Sequence, residues 1–77
     1  MVDPEFGVYP WAFAPPQCNF AAMESDGHAY WLQGVEAVIK NNMWIPRGES
    51  VDLCIMGTAP TSWPRDRWRE SLRARPA

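Results

Sequence analysis

Seventy-seven residues allow one small domain, whose single core at this size supplies only about 3–5 kcal/mol. Hydrophobic residues make up 47% of the chain and charged residues 21%, a balance too apolar for an intrinsically disordered protein. No apolar run approaches the roughly 20 residues of a membrane helix, and no basic-then-apolar signal sequence is present, so the reading excludes a membrane protein and expects a cytoplasmic (intracellular) one.

The net charge of −2 hides an asymmetry. Residues 1–60 carry Asp3, Glu5, Glu24, Asp26, Glu36, Glu49 and Asp52 against Lys40 and Arg47, a balance of −5. Residues 61–77 carry Arg65, Arg67, Arg69, Arg73 and Arg75 against Asp66 and Glu70, a balance of +3. A basic tail on an acidic body can dock on an anionic partner or on a second copy. Cys18 and Cys54 are too few for the disulfide framework of a small secreted domain, so both are expected as reduced thiols.

In chain order, residues 1–6 read as a cloning scar or a flexible N-terminus, leaving 7–77 as the single small domain. Residues 7–16 alternate with period two and place Tyr9, Trp11 and Phe13 on one side, while Pro10 restricts them to an edge strand or an extended arm. Asn19 is positioned to cap a short helical turn over residues 20–24, broken by Asp26-Gly27. The strongest helical pattern covers residues 28–41, where Trp31, Val35, Val38 and Ile39 keep helical spacing with Leu32 beside them and Glu36–Lys40 as an i, i+4 pair. Asn41-Asn42 supplies a stop, because Asn tolerates the left-handed conformation. Period-two patterning then predicts a hairpin of residues 43–45 and 50–56 around Pro46-Arg47-Gly48-Glu49. Ser62 and Pro64 open a last helix reaching about residue 74, with Trp68 and Leu72 as its narrow apolar face.

The expected fold is therefore small α+β: an amphipathic helix packed on a β-hairpin, an extended N-terminal arm and a C-terminal helix. Its expected core is Trp31, Leu32, Val35, Val38, Ile39, Ile45, Val51, Leu53 and Ile55.

Catalytic and metal chemistry find little support. His28 is the single imidazole, no paired Cys/His spacing exists for zinc, and the Glu24–Asp26–His28 group lacks a calcium loop's spaced oxygens. A Cys–His pair would have to join His28 to Cys18 or Cys54, with no signature around either. The glycines never cluster into a phosphate cradle, and so short a chain leaves little room for a substrate pocket. No enzyme, cofactor or metal is expected.

Trp, Tyr, Met and Arg are the residues enriched at interfaces, and they are abundant here. The expected function is a non-catalytic protein-interaction module: an adaptor, an inhibitor or a small subunit of an assembly. Tyr9, Trp11, Phe13, Trp63, Arg65, Arg67, Trp68, Arg69 and Arg73 are its candidate contacts, with another protein or a second copy as partner. The alternative is nucleic-acid binding through the Arg-rich C-terminal helix, or through residues 28–41 in a winged-helix arrangement. The acidic body and the charge-poor 28–41 segment argue against it.

Overall fold

The computed structural model describes residues 6–76. The chain forms two antiparallel sheets and no α-helix among these residues, so the expected α+β arrangement is wrong. Its strands are β1 (Phe20–Met23), β2 (His28–Gln33), β3 (Glu36–Lys40), β4 (Met43–Arg47), β5 (Asp52–Thr58) and β6 (Arg73–Ala74). The larger sheet has the order β5-β2-β1-β6, and β3 pairs with β4 in a separate hairpin.

The predicted short helix over residues 20–24 is β1, which enters β2 through a tight turn at Gly27. There Gly27 N–H donates to the Glu24 carbonyl (2.9 Å), and the Asp26 carboxylate accepts from the His28 backbone N–H (3.0 Å). Gly27 holds φ +89, and a Cβ on it would sit 2.5 Å from the Arg65 Nε. Only glycine fits both the dihedral and the close approach.

The predicted helix over residues 28–41 is two strands, β2 and β3, separated by a turn at Gly34-Val35. Its helical spacing competes with an alternation that buries Ala29 and Trp31 on one face of β2. Aromatic and β-branched residues suit that pleated surface, and Gly34 divides the segment. Asn19 fixes the break by clamping Gly34: its amide donates to the Gly34 carbonyl (2.6 Å) and its side-chain oxygen accepts from Gly34 N–H (3.1 Å). Asn41 and Asn42 do adopt left-handed dihedrals (φ 53 and 61), but as the two-residue turn of the β3–β4 hairpin rather than as a helix stop. Positive φ at both central positions is what such hairpin turns demand.

Residues 43–45 and 50–56 are extended, as expected from their period, yet they do not pair with each other. β4 pairs with β3 (Val38 opposite Ile45), while β5 pairs with β2 (Trp31 opposite Cys54). The N-terminal arm contains a 3₁₀ turn, Trp11–Phe13, in place of a strand. The predicted C-terminal helix is reduced to a kinked 3₁₀ segment, Arg65–Glu70, followed by β6 on β1. Ser62 makes no cap, since Pro64 occupies the capping position without a side-chain bond.

The core follows the aromatics rather than the aliphatics. Phe6, Tyr9, Trp31, Trp44, Trp63 and Trp68 are buried together with Cys18, Met23, Leu32 and small Ala21, Ala22, Ala29 and Ala59. A run of ring contacts joins Phe6 to Trp63 (6.1 Å), Trp63 to Tyr9 (5.1 Å), Tyr9 to Trp11 (6.2 Å) and Trp11 to Trp31 (5.2 Å). Trp44 and Trp68 pack edge to face where the hairpin meets the 3₁₀ segment. Of the nine residues expected in the core, Trp31 and Leu32 are buried and Val38 and Ile45 half-buried. Val35, Ile39, Val51, Leu53 and Ile55 are exposed, Val35 at 79%. Phe6 belongs to this core, although residues 1–6 read as expendable in sequence; the other five lie outside the described residues.

Buried Ser71 ties the last segment to β1. Its hydroxyl accepts from Met23 N–H (2.8 Å) and lies 3.0 Å from the Met23 carbonyl and 2.6 Å from the Trp68 carbonyl. Tyr9 donates its hydroxyl proton to the Ser71 carbonyl (2.8 Å), and burial pushes its pKa up to about 12. A phenol whose folded pKa exceeds its unfolded value of about 10 contributes stability that is complete below pH 10 and lost as pH climbs toward 12. That loss should reach about 2–3 kcal/mol. Alkaline titration followed by circular dichroism should show destabilisation beginning near pH 10, and Tyr9→Phe should remove most of that pH dependence.

Candidate functional site

The structure spends the arginines on the chain's own backbone and rings. Arg65 donates to the carbonyls of Pro60 (2.7 Å), Trp63 (3.0 Å) and Ala59 (3.0 Å). Arg67 forms a bidentate pair with Glu70 (2.9 and 2.7 Å) and lies over the Phe6 ring. The same pair holds the exposed Glu70 carboxyl below its ordinary range. Arg69 stacks on Trp68 at 4.7 Å, and Arg73 donates to the Glu70 and Leu72 carbonyls (both 2.8 Å). Arg75 reaches back to the Pro15 and Cys18 carbonyls (3.0 and 2.8 Å).

The aromatic candidates are separated. Tyr9, Trp63 and Trp68 are buried, Trp11 is half-buried against the core, and Phe13 stands 83% exposed. The 3₁₀ turn at Trp11–Phe13 breaks the alternation that would have aligned Tyr9, Trp11 and Phe13. An open groove of about 420 Å³ runs along Gly7, Val8, Tyr9, Trp11, Arg73, Ala74 and Pro76, larger than so short a chain led us to expect. Asp26 holds His28 through Oδ2 and Nδ1 (2.8 Å) at the exposed β1–β2 turn, and the carboxyl is lowered chiefly by the His28 backbone N–H. No group of three His, Cys, Asp or Glu side chains suited to a metal occurs among the described residues.

The most exposed apolar strand is β5. It occupies one end of the larger sheet, so among the described residues it has a pairing strand on one side only. The hydrogen-bond phase shows which residues face outward. The His28 and Leu32 carbonyls accept from Glu24 and Asn19 N–H (both 2.9 Å), so the even-numbered residues of β2 point toward β1. Trp31 and Gln33 then point toward β5, where they meet Cys54 and Asp52. Leu53 and Ile55, opposite Leu32 and Tyr30, turn their backbone N–H and C=O groups away from the sheet. Leu53 N–H accordingly donates to its neighbour's Asp52 Oδ1 (2.9 Å) and not to β2.

The same two residues expose large apolar side chains, Leu53 at 44% and Ile55 at 65%. Edge strands are ordinarily blunted by lysine, proline or inward charge. In β5 the protection reduces to Asp52 and a register shift beyond Ile55. Sequence reading missed this edge because it assigned Val51, Leu53 and Ile55 to a buried face. The alternation was the correct signal, read with the wrong side covered.

No family model matches the chain, and neither a curated protein nor a solved structure matches it. No helix among the described residues is long and apolar enough to cross a membrane.

Proposed function

We propose that this chain is a non-catalytic protein-interaction module that associates by strand addition at β5, and that the partner its edge fits is a second copy. The observation carrying this reading is the coincidence, at Leu53 and Ile55, of outward-facing backbone groups with exposed apolar side chains. Antiparallel pairing about a two-fold axis at Cys54 sets Leu53 of one copy opposite Ile55 of the other. Both main-chain hydrogen bonds are exchanged at each such pair, and the side chains form apolar cross-strand contacts. Asp52 then faces Met56, so the two carboxylates do not oppose each other. Self-complementarity of this kind is what a two-fold interface requires. The arginines support a protein partner over nucleic acid, because Arg65, Arg73 and Arg75 already donate to carbonyls of their own chain.

A ladder this short falls below the roughly 1,200 Å² of standard interfaces, so the dimer should be weak. Light scattering from low micromolar to about 1 mM protein should show the mass rising from monomer toward dimer. Ile55→Lys should remain monomeric over that range with an unchanged melting temperature, since its side chain is largely in solvent. A parent that stays monomeric throughout, or an Ile55→Lys protein that dimerises equally well, would overturn the reading.

A further inference from the structure

Two thiols from distant parts of the sequence meet under the edge strand. Cys18 is fully buried in the turn that delivers the chain into β1, where its N–H donates to the Pro15 carbonyl (3.0 Å). Cys54 packs against the same core cluster from β5. The two side chains are hydrogen-bonding partners, and Cys54 Sγ also lies 3.7 Å from Asp52 Oδ2. Both are free thiols. The geometry points to a redox-modification site: an intramolecular Cys18–Cys54 disulfide, formed by a peroxide, that staples β5 to the segment entering β1.

The chemistry balances without a further reagent. Cys54, the more accessible thiol, gives its proton to water, and its sulfur breaks the peroxide O–O bond to form a sulfenic acid. Cys18 sulfur then attacks that sulfur, and the departing hydroxide leaves with the Cys18 proton as water. Two thiols lose two electrons, and one hydrogen peroxide becomes two waters. Burial pushes the Cys18 thiol up, which makes it the slower, resolving partner. The closed loop spans about 36 residues, and a cross-link of that length should raise the melting temperature by about 10 °C or more.

The test treats the full chain with hydrogen peroxide at low micromolar protein, where β5 pairing between copies is minor. Denaturation in N-ethylmaleimide and intact-mass measurement follow. The expected product is a monomer lighter by two hydrogen atoms that takes up no maleimide, melts higher, and reverts with dithiothreitol. Cys54→Ser, at a half-buried position, should keep the parent's melting temperature and show neither change. Accumulation of sulfinic acid on Cys54 while Cys18 remains alkylatable would overturn the inference. So would a Cys54–Cys54 dimer, although that product would favour β5 pairing and so separates the two proposals.

Discussion

Trp44→Ala should leave the chain without a cooperative melting transition at room temperature. Trp44 is buried where the β3–β4 hairpin meets the larger sheet, edge to face with Trp68, and its indole N–H donates to the Met23 carbonyl (3.0 Å). Removing a buried aromatic of this size costs about 3–5 kcal/mol. That is comparable to the whole stability, about 3–5 kcal/mol, available to a domain this small. Trp44→Phe retains most of the ring and loses the hydrogen bond, so it should cost about 1 kcal/mol and keep a cooperative transition. A Trp44→Ala protein that melts within a few degrees of the parent would mean that the hairpin is not anchored through this ring.

The second large effect is expected at Arg65, a residue that sequence alone places among partner contacts. Its guanidinium joins three successive points of the loop after β5, through the Ala59, Pro60 and Trp63 carbonyls, and lies against Gly27 at the β1–β2 turn. The loop is held to that turn a second time by Ala59 N–H donating to the Gly27 carbonyl (2.8 Å). Hydrogen bonds from a charged donor contribute about 1.5–3 kcal/mol each, and part of this is lost to solvent at a half-buried site. Arg65→Ala should therefore cost about 2–4 kcal/mol, and Arg65→Lys should recover little of it. A point charge cannot reach three carbonyls with the geometry of a planar fork. Urea denaturation of the two variants beside the parent checks both expectations. If Arg65→Ala is neutral, the guanidinium is not a structural clamp and the sequence-based assignment regains its force.

The extended segments and their punctuation were legible in the sequence, and their partners were not. Residues 43–45 and 50–56 showed their period, and Asn41-Asn42 showed its left-handed preference. Local pattern could not reveal that β5 crosses the fold to pair with β2, because that contact joins segments more than twenty residues apart. Residues 28–41 misled because aromatics and β-branched residues at helical spacing also satisfy two short strands once Asn19 clamps Gly34. The core misled for a related reason. In a chain with five tryptophans, six rings beside alanines fill the interior, and Val35, Val51, Leu53 and Ile55 are left in solvent. The exposed interface was thus hidden within the residues assigned to the core. The arginines in turn belong to the scaffold that holds the C-terminal segment in place.

Concentration-dependent amide hydrogen exchange at Leu53 and Ile55 tests the β5 edge most directly. In dilute solution the Leu53 amide has only the exposed Asp52 carboxylate as a partner, and both amides should exchange quickly. The Trp31 and Cys54 amides, inside the ladder between β2 and β5, should remain protected at every concentration. As dimer forms, protection should rise at Leu53 and Ile55 together, and Ile55→Lys should abolish the rise at Leu53. Leu53 and Ile55 amides that stay unprotected at the highest attainable concentration, or that are already as protected as Cys54 in dilute monomer, would contradict the outward phase of β5 and the association built on it.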